Sequence, residues 1–173
     1  VLARLAFKNT DSLIGGVADA LEREGIRLMS SVELLRDQLA DEGSMSGRKP
    51  SGDEQKAIDY GVRIATELGR LDLGQTVVVK DRVALAVEAL EGTDACIRRG
   101  GDLARSGGFV VAKAVKPGQD RRFDLPAVGP DTVDVLREAG GRVLAIEAGA
   151  TGFILKSNNW DELVERIRQH LAA

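Results

Sequence analysis

The sequence predicts an α/β or α+β fold: a central mixed sheet of about five strands with flanking helices, behind a helical N-terminal third. Three observations carry this reading. Before Gly74, apolar residues recur at helical spacing. At Gly74 the chain switches to short β-branched runs. Beyond it, short apolar runs alternate with helical patterns and are separated by Gly, Pro and Asp turns.

In chain order, Asp11-Ser12 opens a helical segment with Leu13, Val17 and Leu21 on one face, stopped by Gly25. Ile26 to Met29 is short enough to read as a strand. Ser30 or Ser31 then caps a helix carrying Val32, Leu35 and Leu39, which ends at Gly43. GSMSGRKPSGD has no periodicity and reads as an exposed loop. Ser51 and Glu54 form a capping box for a helix with Ile58, Val62, Ala65 and Leu68 on one face. Gln75 to Lys80 and Val83 to Ala89 read as a hairpin around an Asp81-Arg82 turn. Thr93 or Asp94 is expected to cap a short helix through Ile97 and Leu103, ended by Ser106-Gly107-Gly108. Phe109 to Val115 is a further strand, stopped by Lys116-Pro117-Gly118. Gly129-Pro130-Asp131 starts a helix with Val133, Leu136 and Ala139. Strands follow at Val143 to Ala148 and Phe153 to Leu155. Asn158 or Asn159 caps a last amphipathic helix with Trp160, Leu163, Ile167 and Leu171.

The 173 residues are enough for one ordinary domain with its own core, so neither disulfides nor a structural metal are required for folding. Aromatic residues make up only 3% of the chain, so Val, Leu, Ile and Ala must fill that core. The same scarcity argues against base-stacking single-strand binders, and a net charge of -3 argues against nucleic acid as a general partner. The single Cys96 has no internal partner and fits a reducing compartment. With one cysteine and one histidine, His170, the chain cannot build a Cys/His zinc site. No apolar run approaches the roughly 20 residues of a membrane span, and the N-terminus lacks a signal-peptide pattern. It also lacks an initiator methionine, which points to a fragment or a processed chain.

Polar residues crowd into the turns that follow the expected strands, where a rigid strand can aim a side chain from its exposed end. Glu88, Glu91 and Asp94 fall within seven residues. Lys116, Asp120, Arg121, Arg122 and Asp124 form a second cluster, and Gly129-Pro130-Asp131-Thr132 enters a helix N-terminus. Carboxylates supply hard oxygen ligands for Mg²⁺, with Mn²⁺ as the alternative. Lys116, Arg121 and Arg122 place positive charge beside them, and the N–H groups of helix N-termini after Gly92 and Gly129 suit the same anion. Metal, carboxylates and cations together are the usual equipment for phosphoryl transfer to water. Each cluster has a plainer reading as a turn, a helix cap or a solvated face. Two clusters at successive strand ends favour a site.

The segments GQTVVVKDRVALAVEALEGTDACIRRGGDL, GGFVVAKAVKPGQDRRFDLPAVGPDTVDVLREAG and VLAIEAG carry a resemblance. They are similar to the C-terminal domain of the metal-dependent UDP-2,3-diacylglucosamine pyrophosphatases, the family unrelated to the calcineurin-like phosphoesterase of the same step. TDSLIGGVADALEREGIRLMSSVELL also fits, so the resemblance covers about Asp11 to Leu155 and is most specific in EGTDA and KPGQDRRFDLPAVGP. It implies Mg²⁺-dependent hydrolysis of UDP-2,3-diacylglucosamine to UMP and 2,3-diacylglucosamine 1-phosphate, in lipid A biosynthesis of Gram-negative bacteria. By motif position it assigns Glu91, Thr93 and Asp94 to one element, and Lys116, Gln119, Asp120, Arg122 and Asp124 to the other.

On this reading Asp120, Asp124 and Asp94 are the catalytic candidates, and these three with Glu91 are the metal candidates. Lys116, Gln119, Arg121, Arg122, Thr93 and Lys113 bind phosphate or substrate, Lys113 if it lies on the concave side of the sheet. The partner is a nucleotide-linked diacyl glycolipid, whose chains require an apolar groove, placed in the helical first third. A cytoplasmic location with peripheral contact at the inner membrane follows from the resemblance, and a homodimer is compatible with it. A full member carries a preceding N-terminal domain of nucleotide-binding type, absent here, so residues 1–173 are expected to be one catalytic-type domain of a two-domain enzyme. The charged tail from Asn158 departs from the family's usual ending. The rival from another class is a non-catalytic module holding a phosphate or nucleotide ligand for a partner domain.

Overall fold

Strands β1 (Thr76–Lys80) and β2 (Val83–Val87) form the expected hairpin, and the two-residue turn between them explains its tightness. Asp81 and Arg82 both adopt positive φ, 50° and 61°, the conformation that matches the right-handed twist of the flanking strands. The computed structural model describes residues 10–30, 43, 48–116, 127–147 and 154–155. Strand β3 (Phe109–Ala114) runs antiparallel to β1 on its other side, and β5 (Gly141–Glu147) is parallel to β3. The resulting four-stranded mixed sheet has the order β2-β1-β3-β5. Two short strands, β4 (Ala127–Val128) and β6 (Ile154–Leu155), pair in parallel as a separate sheet. Among the described residues the main sheet therefore has four strands against the expected five or so, the expected strand ending at Leu155 pairs with β4 instead, and β4 was not anticipated.

Among the described residues the helices are α1 (Thr10–Arg23), α2 (Gly52–Arg70), α3 (Thr93–Ala104) and α4 (Pro130–Glu138). Helix α1 stops where expected: Gly25, at φ 79°, lets Ile26 N–H reach Leu21 C=O at 2.9 Å while its own N–H reaches Glu22 C=O. Ile26 to Met29 is not a strand, because Ile26 wraps back onto the helix end and the segment joins neither sheet. Within α1, Ala18 is buried and Val17 is half exposed, which departs from the expected face. The expected helices at 32–39 and 158–171 lie outside the described residues. No described helix is long and apolar enough to cross a membrane.

The sheet has a helical layer on each face. Val78, Ala86, Phe109 and Val111 point to one face and pack against Cys96, Ile97 and Ala104 of α3 and Val135 and Leu136 of α4. Val133, expected on the core face of α4, is half exposed instead. Val77, Val79, Val110 and Ala114 point to the other face, toward Ala57 and Ala65 of α2. Small residues bring both layers close. A Cβ at Gly61 would lie 2.7 Å from Ala112 Cβ, and one at Gly100 2.5 Å from Val78 Cγ1. The buried stripe of α2 is therefore Ala57, Gly61, Ala65 and Gly69, with Ile58, Ile64 and Leu68 packed beside it.

The capping box of α2 forms as expected: Ser51 Oγ accepts from Glu54 N–H, and Glu54 Oε2 accepts from Ser51 N–H at 2.8 Å. Arg48 forks onto the same carboxylate at 2.8 and 3.0 Å. Arg48 first, then the Ser51 amide, hold the Glu54 carboxyl down at about 2, against an ordinary 4.5. A depressed carboxyl stabilises the fold above its unfolded value and ceases to do so as it is protonated in the folded state. Glu54→Gln is thus expected to flatten the loss of stability between pH 4.5 and about 2, read as the urea midpoint at each pH.

Candidate functional site

Along three strands of the α3/α4 face, β1, β2 and β3, the residue two positions beyond the apolar core is polar. Val78 leads to Thr76, Ala86 to Glu88 and Val111 to Lys113, because alternate residues share a face. Register places them side by side: Thr76 pairs with Lys113, and Glu88 N–H donates to Thr76 C=O at 2.8 Å. The row lies at the C-terminal end of β3 and β5, where an antiparallel β1 begins and β2 ends. Thr76, Glu88 and Lys113 are 0%, 8% and 6% exposed, so the two charges must be compensated locally.

Thr93 provides the link. Its hydroxyl donates to Glu88 Oε1 at 2.9 Å and accepts from Lys113 Nζ at 2.7 Å, with Thr76 Oγ1 at 3.4 Å. A hydroxyl has one proton and two lone pairs. An ionised Glu88 only accepts, so that proton is directed to Glu88 and the oxygen is left to face Lys113. Thr93 is the first residue of α3, and the cap position before it is Gly92, at φ 85°, with no side-chain cap bond. The expected capping by Thr93 or Asp94 does not occur: the Thr93 hydroxyl is spent on the cluster. Asp94 Oδ1 instead accepts from Thr132 Oγ1 at 3.0 Å. That bond ties the first turns of α3 and α4 together and brings two helix N-termini to this edge of the sheet, a favourable environment for an anion.

The other candidates are distributed as follows. Glu91 turns to Arg99 and to the Ala89 N–H, and the Arg99 hydrogen bond first holds its carboxyl below the usual range. Arg99 also reaches Val87 C=O at 2.8 Å, so it clamps the turn after β2. Lys116 Nζ meets Asp72 Oδ1 at 2.8 Å. Gln119, Asp120, Arg121, Arg122 and Asp124 lie outside the described residues. Burial pushes the Cys96 thiol up to about 12, which removes it as a nucleophile. Among the described residues no three carboxylate, imidazole or thiol groups converge on one point. Asp94 and Glu88 are the described carboxylates next to the Thr93 cluster.

Residues 41–168 match the LpxI C-terminal domain family. The chain belongs to this family. It is 38% identical over 151 residues to the UDP-2,3-diacylglucosamine pyrophosphatase LpxI of Caulobacter vibrioides, across 83% of this chain and 54% of that relative. It thus spans about half the length of the relative. The resemblance read from EGTDA and KPGQDRRFDLPAVGP is borne out. The family match runs to residue 168 and so takes in most of the tail that the motif reading set apart.

The sequence placed Glu88 in the first carboxylate cluster without making it a site candidate, and it assigned no role to Thr76 or Thr132. Glu88 and Thr76 carried a faint signal, as polar residues in phase with a buried apolar face. Thr132 had none beyond its place at a helix entry.

Proposed function

We propose that this domain contributes to hydrolysis of the pyrophosphate bond of UDP-2,3-diacylglucosamine, yielding UMP and 2,3-diacylglucosamine 1-phosphate. The observation that carries the proposal is the Lys113–Thr93–Glu88 cluster, set beside Asp94 where two helix N-termini meet. The activity named for the Caulobacter relative supplies the substrate.

In this reading Lys113, with the N–H groups at the start of α3, holds a phosphate oxygen. Lys116, Gln119, Arg121 and Arg122 complete the anion contacts. Asp94, Asp120 and Asp124 present the hard oxygens that suit Mg²⁺, or Mn²⁺. The metal, when bound, would neutralise charge on the phosphate oxygens. One of Asp120 and Asp124 takes the proton of the attacking water as its oxygen bonds to phosphorus and the bridging P–O bond breaks. Glu91, already engaged by Arg99, shapes the turn that carries Thr93 and Asp94.

The test is UMP release, with Mg²⁺ and with EDTA. It is run on the chain alone and on the chain joined to the part of the Caulobacter protein that it does not match. EDTA should stop release. Asp120→Ala and Asp124→Ala should each lower it by at least about 100-fold, as loss of a proton-transferring group does. If neither form releases UMP, or both substitutions are silent, the reading is wrong. Substrate binding without release would leave the module that holds a ligand for a partner.

A further inference from the structure

The Glu88 carboxylate is buried at the strand-end site, yet it has no place among the groups that meet phosphate or metal. It is held from every side. Its Oε1 takes the Thr93 hydroxyl proton at 2.9 Å, its Oε2 lies 3.4 Å from Gln75 N, and its own N–H is fixed on Thr76 C=O. The chain at Gly74 presses against it closely enough that a Cβ there would sit 3.2 Å from Glu88 Cβ. A carboxylate this immobile and enclosed is poorly suited to transfer protons with solvent. It can, however, dictate the orientation of its neighbour.

We propose that Glu88 is a positioning residue for the phosphate-holding lysine: by fixing the Thr93 hydroxyl as a donor toward itself, it makes Thr93 a permanent acceptor for Lys113. This rests on the proposed pyrophosphatase function only for its kinetic consequence; the geometry is independent of it. Two physical needs meet in the arrangement. Lys113 is a buried cation at the N-terminal, positive end of α3, so a nearby negative charge must offset both. Its ammonium must also be held in one place, and a hydroxyl with free rotation would not hold it. The Thr93 oxygen accepts at 2.7 Å from Lys113 because its proton is committed elsewhere.

The experiment has a kinetic arm and a spectroscopic arm. In the first, Glu88→Leu, which removes the acceptor for the Thr93 hydroxyl, lowers kcat for UMP release by about 10–100-fold, the usual cost of losing a group that orients a site residue. KM shifts by less than about threefold. Lys113→Met has a similar effect, and Glu88→Leu/Lys113→Met is no worse than Lys113→Met alone, because both losses act through one contact. Independent multiplication of the two losses, or an unchanged kcat in Glu88→Leu, would overturn the proposal.

In the second arm, lysine-labelled protein gives a ¹H–¹⁵N ammonium signal for Lys113, slowed in exchange by its hydrogen bonds. The signal persists in Thr93→Ser and is lost in Thr93→Val and in Glu88→Leu, which removes the acceptor. An absent wild-type signal, or one unmoved by Glu88→Leu, also overturns the proposal. If the wild-type protein releases no UMP, the pyrophosphatase reading falls, and the ammonium signal still decides the role of Glu88.

Discussion

Lys113→Met is expected to destabilise the protein by about 2 kcal/mol, the order of effect of losing a buried hydrogen bond to a charged group. The side chain fits the space, since methionine is apolar, unbranched and adaptable. The cost arises from what stays behind. Glu88 remains 8% exposed with its charge, its Oε1 still bound to a Thr93 hydroxyl that has lost its cation. Adding Glu88→Gln removes the orphaned charge, so the double variant should be more stable than Lys113→Met alone. That sign separates two buried groups coupled through Thr93 from two unrelated surface charges, whose removal would shift stability by less than about 0.5 kcal/mol each. Urea denaturation of the parent, the two single variants and the double variant checks it. Single-variant losses below that level would mean that water reaches Lys113 and Glu88 in solution.

How far the molecule was legible depended on whether its signals were local. The capping box at Ser51 and Glu54, the Gly25 stop and the Asp81-Arg82 turn each lie within a few residues of sequence, and each formed as read. The stripe of α2 was harder, because its buried residues are Ala57, Gly61, Ala65 and Gly69. Hydrophobic periodicity weighs large side chains, whereas this face was chosen for closeness to the sheet. Ile26 to Met29 misled for a related reason: a short apolar run fixes no secondary structure until a partner strand is available. At the site, a lone lysine inside an apolar strand was visible as an oddity. Its meaning was not, since Lys113 meets Thr93 across 20 positions and Thr76 meets Thr93 across 17. Those meetings follow from strand register, which the sequence specifies only through the sheet as a whole.

Gly74→Ala should have the largest effect on stability of any single methyl group added here. A Cβ at this position would lie 2.1 Å from Glu88 C=O oxygen and 2.7 Å from the carbonyl carbon, a clash with backbone rather than with a side-chain end. A side chain can rotate away, but Glu88 cannot: its N–H is bonded to Thr76 and its carboxylate to Thr93. Relief requires moving the end of β2 or the loop that enters β1, and either motion breaks the polar row. Overpacking of a fixed contact typically costs about 1–3 kcal/mol, and backbone against backbone belongs at or above the upper end. Gly52→Ala is the control, because nothing lies within 4 Å of its Cβ and it stands at the start of α2. It should be neutral or gain a few tenths of a kcal/mol, since alanine is the better helix former. Comparing urea midpoints of the two variants isolates the clash from the general cost of replacing glycine. The Lys113 ammonium signal extends the test to the site: Gly74→Ala should weaken it even in the fraction that remains folded, because Glu88 reaches Lys113 only through Thr93. Equal midpoints for the two variants would show that the Gly74 loop yields freely, and that Glu88 is not held in place by it.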